Sequence, residues 1–124
     1  MKKILILTVI ATFFATSAFA GATIAMASPL TKATTGKTVW AASTGTAAAT
    51  DTLIGKTSTG VGVGIRTLVT GYALTTQHVN GTKAYGSSYD STSIYFLDVD
   101  TVGTPKLGTP TQVDTTDFVT WTIM

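Results

Sequence analysis

The chain has no cysteine and no glutamate, and only 11% of its 124 residues are charged. The absence of cysteine excludes disulfides, thiolate catalysis and thiolate-bound metal or haem. The absence of glutamate, together with few lysines, is unlike the surface of long solvent-exposed helices. A single histidine, His78, leaves little material for acid–base chemistry near neutral pH. These absences argue against a helical bundle and against an enzyme.

The first twenty residues form the most distinctive segment. Lys2 and Lys3 precede an apolar run from Ile4 to Phe14, and the segment ends in a small-x-small triplet at Ala20. This is the pattern of a cleaved secretory signal peptide, and the apolar run is shorter than the about 20 residues that a membrane anchor needs. We expect cleavage after Ala20, with a second possible site after Ala27, and therefore an exported protein.

Removal of the leader leaves six basic residues and six aspartates, so the mature chain is neutral. No basic patch remains for nucleic acid or anionic lipid, and a neutral surface favours association between chains. The remaining 104 residues suit one small domain. We assign residues 1–20 to the signal peptide, 21–46 to an extended lead-in and 47–124 to a β domain.

Threonine supplies about a quarter of the mature chain, and its β-branched side chain suits strands. Short apolar or alternating runs are separated by Gly, Pro and Asn, which predicts one mainly β domain with an antiparallel sheet. The first predicted elements are a short strand over Lys37–Ala42, a short helix near Ala47–Leu53 and one strand over Arg66–Gln77 with a kink at Gly71. They are followed by a turn at Asn80-Gly81, a loop at Gly86–Ser88, a strand over Ser91–Val99 that is central in its sheet or covered on both sides, a turn over Gly103–Pro110 and a last strand over Thr111–Met124.

Several motifs resemble catalytic or ligand sites without completing them. The Gly-Lys-Thr tripeptides that begin at Gly36 and Gly55 lack the earlier glycine of a phosphate-binding loop. No serine has the sequence context of a nucleophile elbow, so we interpret His78 as a surface loop residue. Asn80 begins an Asn-Gly-Thr glycosylation sequon, but its turn chemistry is the better explanation.

Asp98 and Asp100 are predicted to share one strand face. With Asp114 and Asp117 they would offer carboxylate oxygens to Ca²⁺, which takes six to eight oxygen ligands. No loop here has the ligand spacing of a calcium site, however. We favour the simpler interpretation, a solvated strand end that discourages edge pairing.

Two longer phrases resemble the globular head of type IV pilins. These are TLIGKTSTGVGVG at Thr52–Gly64 and GYALTTQHVNGTKAYGSS at Gly71–Ser88. An ordinary type IV pilin keeps its hydrophobic stretch as a long N-terminal helix that carries a glutamate near its start. This chain has no glutamate, and its leader is of the kind that is cut after the hydrophobic stretch.

The sequence therefore resembles the separate head subunit of a split type IV pilin, which lacks the N-terminal helix. The resemblance implies a heterodimer with a short helical pilin, further copies in a filament, no cofactor and no enzymatic activity. It also implies passage through the periplasm to a cell-surface or extracellular filament used in adhesion, motility, secretion or, indirectly, extracellular electron transfer. The alternative is a secreted β-sandwich that binds carbohydrate or acts as an adhesin.

The partner interface is predicted from small and apolar residues of the lead-in and from the large aromatics. The candidates are Ala22, Ile24, Met26, Leu30, Trp40, Phe96 and Trp121.

Overall fold

The computed structural model describes residues 23–40 and 53–124, which form a mainly β, antiparallel domain as predicted. The strands of this part are β1 (Thr23–Ile24), β2 (Thr38–Trp40), β3 (Leu53–Lys56), β4 (Val61–Leu68), β5 (Gly71–His78), β6 (Lys83–Ser88), β7 (Tyr95–Asp98) and β8 (Thr122–Ile123), with one 3₁₀ helix at Thr115–Phe118.

Six strands form one sheet in the order β1-β4-β5-β6-β7-β8. Strands β4 to β8 follow one another as a meander, and β1 pairs with the outer edge of β4. Strands β2 and β3 form a separate pair. The lead-in assigned to residues 21–46 thus supplies β1 and β2, both of which pair with strands from the rest of the chain.

The single strand predicted over Arg66–Gln77 is wrong, because the chain reverses inside it. Strand β4 ends at Leu68, and β5 begins at Gly71 directly opposite. The intervening turn residues, Val69 and Thr70, have negative φ and are not typical turn residues. The reversal therefore has no signal in the sequence, and Gly71 begins the return strand instead of kinking a continuous one.

The loop predicted at Gly86–Ser88 is also wrong, since these residues complete β6. A Cβ on Gly86 would lie only 2.3 Å from Cε1 of Phe118, so glycine is needed here because an aromatic ring rests on the strand. The ring of Phe118 also stacks on Tyr95 at 5.4 Å and meets Trp121 edge-on at 5.2 Å. This aromatic group anchors the C-terminal segment to the sheet.

The remaining element predictions have mixed outcomes. The segment Thr111–Met124 is not one strand, because it contains the 3₁₀ helix and only β8 is a strand. Asp114 caps the 3₁₀ helix by accepting from Thr116 N at 3.0 Å. Strand β7 lies between β6 and the two-residue edge strand β8 instead of at the centre of the sheet, and it is shorter than predicted. The helix predicted near Ala47–Leu53 falls mostly outside the described residues, and Leu53 begins β3.

The predicted turns fare better. Gly103–Pro110 contains no helix or strand, and a turn joins β5 to β6 at Asn80-Gly81, where Gly81 N donates to His78 O at 2.9 Å. Neither Asn80 nor Gly81 adopts a positive φ, so this turn forms without left-handed backbone geometry.

One face of the sheet carries the buried core. It is lined mainly by small or polar side chains, and the buried positions are Gly62, Gly64, Ala73, Thr75, Gln77, Ala84, Gly86 and Ser88. Because these residues are small, chain segments lie directly on the strands. Met26 and Leu30 pack against Gly62, and the carbonyl oxygen of Gly108 packs against Gly64.

The buried Gln77 fixes the 103–110 segment over the sheet. Its Nε2 donates to Thr104 O at 2.9 Å, and its Oε1 accepts from Lys106 N at 2.9 Å. Thr75, also buried, donates from Oγ1 to Leu107 O at 3.1 Å. Paired polar groups therefore replace the larger apolar side chains that usually fill the core of a domain.

Candidate partner-binding surface

On the opposite face of the six-stranded sheet no residue is buried, and two neighbouring rows across the strands are mainly apolar, interrupted by Thr76, Ser87 and Thr122. In the strand register, Ile24 lies opposite Ile65, which lies opposite Leu74, and the next row places Tyr85 opposite Phe96. Met124 N donates to Ile94 O at 2.9 Å, which extends the register by one residue and puts both side chains on this face. We call the following residues the open face: Ile24, Val63, Ile65, Leu74, Tyr85, Ile94, Phe96 and Met124.

Within residues 23–40 and 53–124, the open face is incompletely covered. Tyr85 is 37% exposed, Ile94 51% and Met124 72%, and the other members are half-buried. Along the same strands, the buried residues of the core face alternate with the half-buried or exposed residues of the open face. Contiguous exposed apolar surface of this kind marks an interaction site.

The dimensions of the open face suit a helix. The six strands, spaced about 4.8 Å apart, span about 24 Å from β1 to β8. An α-helix of about 16 residues has this length. The apolar residues occupy two neighbouring rows across the strands, which is about the width of the apolar stripe of an amphipathic helix.

Charged and polar residues border one side of the open face. Lys83 forms an ion pair with Asp98 at 2.7 Å, and its Nζ lies 4.1 Å from the centre of the Phe96 ring. His78, in the same row, is exposed, and its Nδ1 accepts from Asn80 N at 3.1 Å. Nδ1 of His78 therefore stabilises the β5–β6 turn. No serine hydroxyl among the described residues forms a hydrogen bond with the imidazole.

The structure brings two of the seven predicted interface residues together on the open face, namely Ile24 and Phe96. Met26 and Leu30 are 6% and 3% exposed and belong to the core, where they pack against Gly62. Their side chains are therefore buried by contacts within the chain and do not belong to the open face.

The other three predicted interface residues lie away from the open face. Trp40 is half-buried in β2, and Trp121 packs against Phe118 on the core side. Ala22 falls outside the described residues.

Sequence reasoning missed most of the open face, in particular Ile65, Leu74, Tyr85, Ile94 and Met124. One signal was available in Val61–Ile65, where apolar residues alternate with glycines and so define one apolar strand face. The contributions of Ile94 and Met124 depend on strand register, which no local pattern provides.

The aspartates considered for calcium do not converge. Asp98 and Asp100 are paired with Lys83 and Lys106 respectively, and their side chains are exposed. Asp114 caps the 3₁₀ helix, while Asp117 accepts from Thr111 N at 2.6 Å and from Gln112 N at 2.9 Å. Within the described ranges no three potential metal-ligating carboxylate, histidine or cysteine side chains cluster.

Two aspartates stabilise the C-terminal segment through local hydrogen bonds. The pKa of Asp90 is lowered chiefly by the Ser88 hydroxyl, which donates at 2.7 Å, with a further contribution from Thr115 N at 3.2 Å. The pKa of Asp114 is lowered chiefly by hydrogen bonds from Thr116. Because these bonds favour the ionised carboxylates, both groups support the fold in their charged form.

No protein-family model matches this chain, and neither does any curated protein or solved structure. In the ranges 23–40 and 53–124, no helix is long and apolar enough to cross a bilayer. The open face is therefore interpreted from its own geometry.

Proposed function

We propose that the chain is the globular head subunit of a type IV pilus or pilus-like filament and pairs with a short helical pilin. The observation that supports this most directly is the open face, an apolar surface that crosses the whole sheet without being buried by the described residues. The two phrases at Thr52–Gly64 and Gly71–Ser88 that resemble pilin heads point to the same function.

The open face determines the chemistry of its partner. Its members are all uncharged, and the nearby Lys83 and Asp98 neutralise each other. A charge on the partner's docking stripe would be buried without a counter-ion, at a cost of several kcal/mol. The partner is therefore a helix with an uncharged apolar stripe of about four turns, which matches the hydrophobic segment of a short pilin.

The subunit acts structurally in this proposal. The partner helices form the filament core, and the heads coat it after export through the periplasm. The filament serves adhesion, motility or secretion, and any part in extracellular electron transfer is indirect, because a chain without cysteine has no thiolate attachment for haem.

Carbohydrate binding by a secreted adhesin is the second candidate. Tyr72, 44% exposed, and Tyr85 lie on the same side of the sheet, and exposed aromatic rings provide flat apolar surfaces for sugar rings. A sugar-binding surface of this kind functions without any helical partner, so the two candidates predict different results in one experiment.

The test compares a substitution on the open face with a matched substitution away from it. Tyr85→Asp places a charge at the centre of the open face, and Val102→Asp places the same charge in the exposed segment 100–102. A single cysteine introduced by Ser58→Cys, in an exposed loop, provides the only thiol for biotin capture from the native cells under mild detergent. Intact-mass spectrometry identifies the captured protein.

We expect the chain that carries only this biotin handle, the biotinylated cysteine of Ser58→Cys, to retain one small helical protein at 1:1 stoichiometry. Tyr85→Asp should lose this partner, and Val102→Asp should keep it, while both unfold at similar urea concentrations because both positions are exposed. Capture of no small apolar partner, or its equal retention by both variants, would contradict the proposal. A glycan-binding screen of the same proteins then tests the second candidate.

A further inference from the structure

The open face is not flat, because two small residues lie diagonally next to each other between larger ones. Ser87 on β6 lies directly opposite Leu74 on β5, and Thr76 on β5 lies directly opposite Tyr85 on β6. Side chains opposite each other are about 5 Å apart and diagonal ones about 7–8 Å apart. Leu74 and Tyr85 have larger side chains than Ser87 and Thr76, so the register predicts a depression above the two small residues, which we call the socket.

The burial of these residues agrees with a depression. Ser87 and Thr76 are both half-buried although the larger Tyr85 beside them is exposed. The Thr76 hydroxyl is directed to the backbone, where it donates to Gly62 O at 3.1 Å. Ile94, which follows in register on the other side of Ser87, adds a third large side chain to the rim.

We infer that the socket receives one bulky apolar side chain of the docked helix, of leucine, methionine or phenylalanine size. This inference rests on the proposed function, and it adds a specific anchoring point to it. A helix carrying only small residues would bridge the rim between Leu74 and Tyr85 and leave a void above Ser87. Voids at tightly packed interfaces forfeit contacts that a side chain of matching size would make.

The position of the socket also favours this role. It lies on the two middle strands of the face, and side chains that contribute most to binding concentrate near the centre of an interface, in pockets shielded from water. The rim supplies aliphatic and aromatic contacts, and no charged residue belongs to it. An apolar side chain is therefore the one that fits with the least desolvation cost.

The experiment fills the socket from the head side. Ser87→Phe occupies it, Ser87→Leu occupies it partly, and Ser87→Ala leaves it open. Thr101→Phe adds the same aromatic ring in an exposed loop and serves as the matched control. Each variant carries the biotin handle and competes with the unsubstituted head for the helical partner captured as above, and urea unfolding verifies that each variant is folded.

We expect Ser87→Phe to reduce partner retention by at least about tenfold, the loss typical of one important interface side chain, and Ser87→Leu to reduce it less. Ser87→Ala and Thr101→Phe should stay within about twofold of the unsubstituted head, because they leave the socket accessible. If the folded Ser87→Phe or Ser87→Leu variants bind as well as the unsubstituted head, the socket inference is wrong while the proposed function stands. If the unsubstituted head captures no helical partner, both are wrong.

Discussion

Substitution of Gly64 by alanine tests how closely the 103–110 segment packs on the sheet. A Cβ at position 64 would lie 2.1 Å from Gly108 O and 2.9 Å from the Thr75 hydroxyl. The nearest atom belongs to the backbone, so the segment has to move away from β4 to make room. Gly108 O also accepts from Met26 N at 3.0 Å, so the movement disturbs the lead-in as well.

The expected magnitude follows from these contacts. Overpacking of a well-packed core costs about 1–3 kcal/mol. The hydrogen bonds that Gly108 O and Leu107 O accept contribute about 0.5–1.5 kcal/mol each, and the displacement weakens both. The free energy of unfolding should therefore fall by about 2–5 kcal/mol, a large part of the about 5–15 kcal/mol of a small domain.

Gly55→Ala is the matched control. Gly55 also lies in a strand, but a Cβ there would have no heavy atom within 4 Å. The reduced entropy of the unfolded chain should make this variant as stable as the natural chain, or more stable by up to about 1 kcal/mol. Urea unfolding followed by tryptophan fluorescence measures both variants. If Gly64→Ala is as stable as Gly55→Ala, the 103–110 segment does not pack against β4 in the way described.

Three further predictions concern polar groups. Nε of Arg66 is buried and has no hydrogen-bond partner among the described residues, so Arg66→Met should leave the free energy of unfolding unchanged or raise it by about 1 kcal/mol. A loss above about 1 kcal/mol in urea unfolding would show that the guanidinium is paired. Asp90 has a pKa below its ordinary value because the Ser88 hydroxyl donates to it, so its contribution to stability is full above the unfolded pKa near 3.8 and is lost as the pH falls through the lower folded pKa. Asp90→Asn should accordingly lower Tm at pH 6 and flatten the decrease of Tm below about pH 4, and an unchanged acid profile would refute the linkage. Gln77→Met keeps the buried volume but leaves two backbone groups of the 103–110 segment unpaired, so it should cost about 2–4 kcal/mol, and a neutral result in urea unfolding would contradict the buried bonds.

The fold class could be predicted from the sequence because composition and turn residues agree. Threonine-rich, alternating segments between Gly, Pro and Asn describe an antiparallel β domain, and the turns near Asn80 and over Gly103–Pro110 occur as predicted. The β4–β5 reversal could not be predicted, because Val69 and Thr70 are residues typical of strands. The glycine at position 86 suggested a loop, whereas it is required by the Phe118 ring, a contact 32 residues away in the sequence.

The candidate surface was less predictable than the fold. The apolar residues of the lead-in are equally consistent with a core or with an exposed contact, and Met26 and Leu30 proved to be core. The open face is formed by alternate residues of six strands, so its outline depends on which strands are neighbours. Ile94 and Met124 are 30 residues apart in the sequence and adjacent only through the β7–β8 pairing.

Site-specific photo-crosslinking in the native cells shows which protein lies against the open face. A photoreactive residue at position 94 lies on the open face, and one at position 102 lies in an exposed loop away from it. If the open face binds the partner, position 94 should crosslink to a short helical protein recognised by its intact mass, and position 102 should not. Crosslinks from position 94 to copies of this chain alone, or to no protein, would contradict the account.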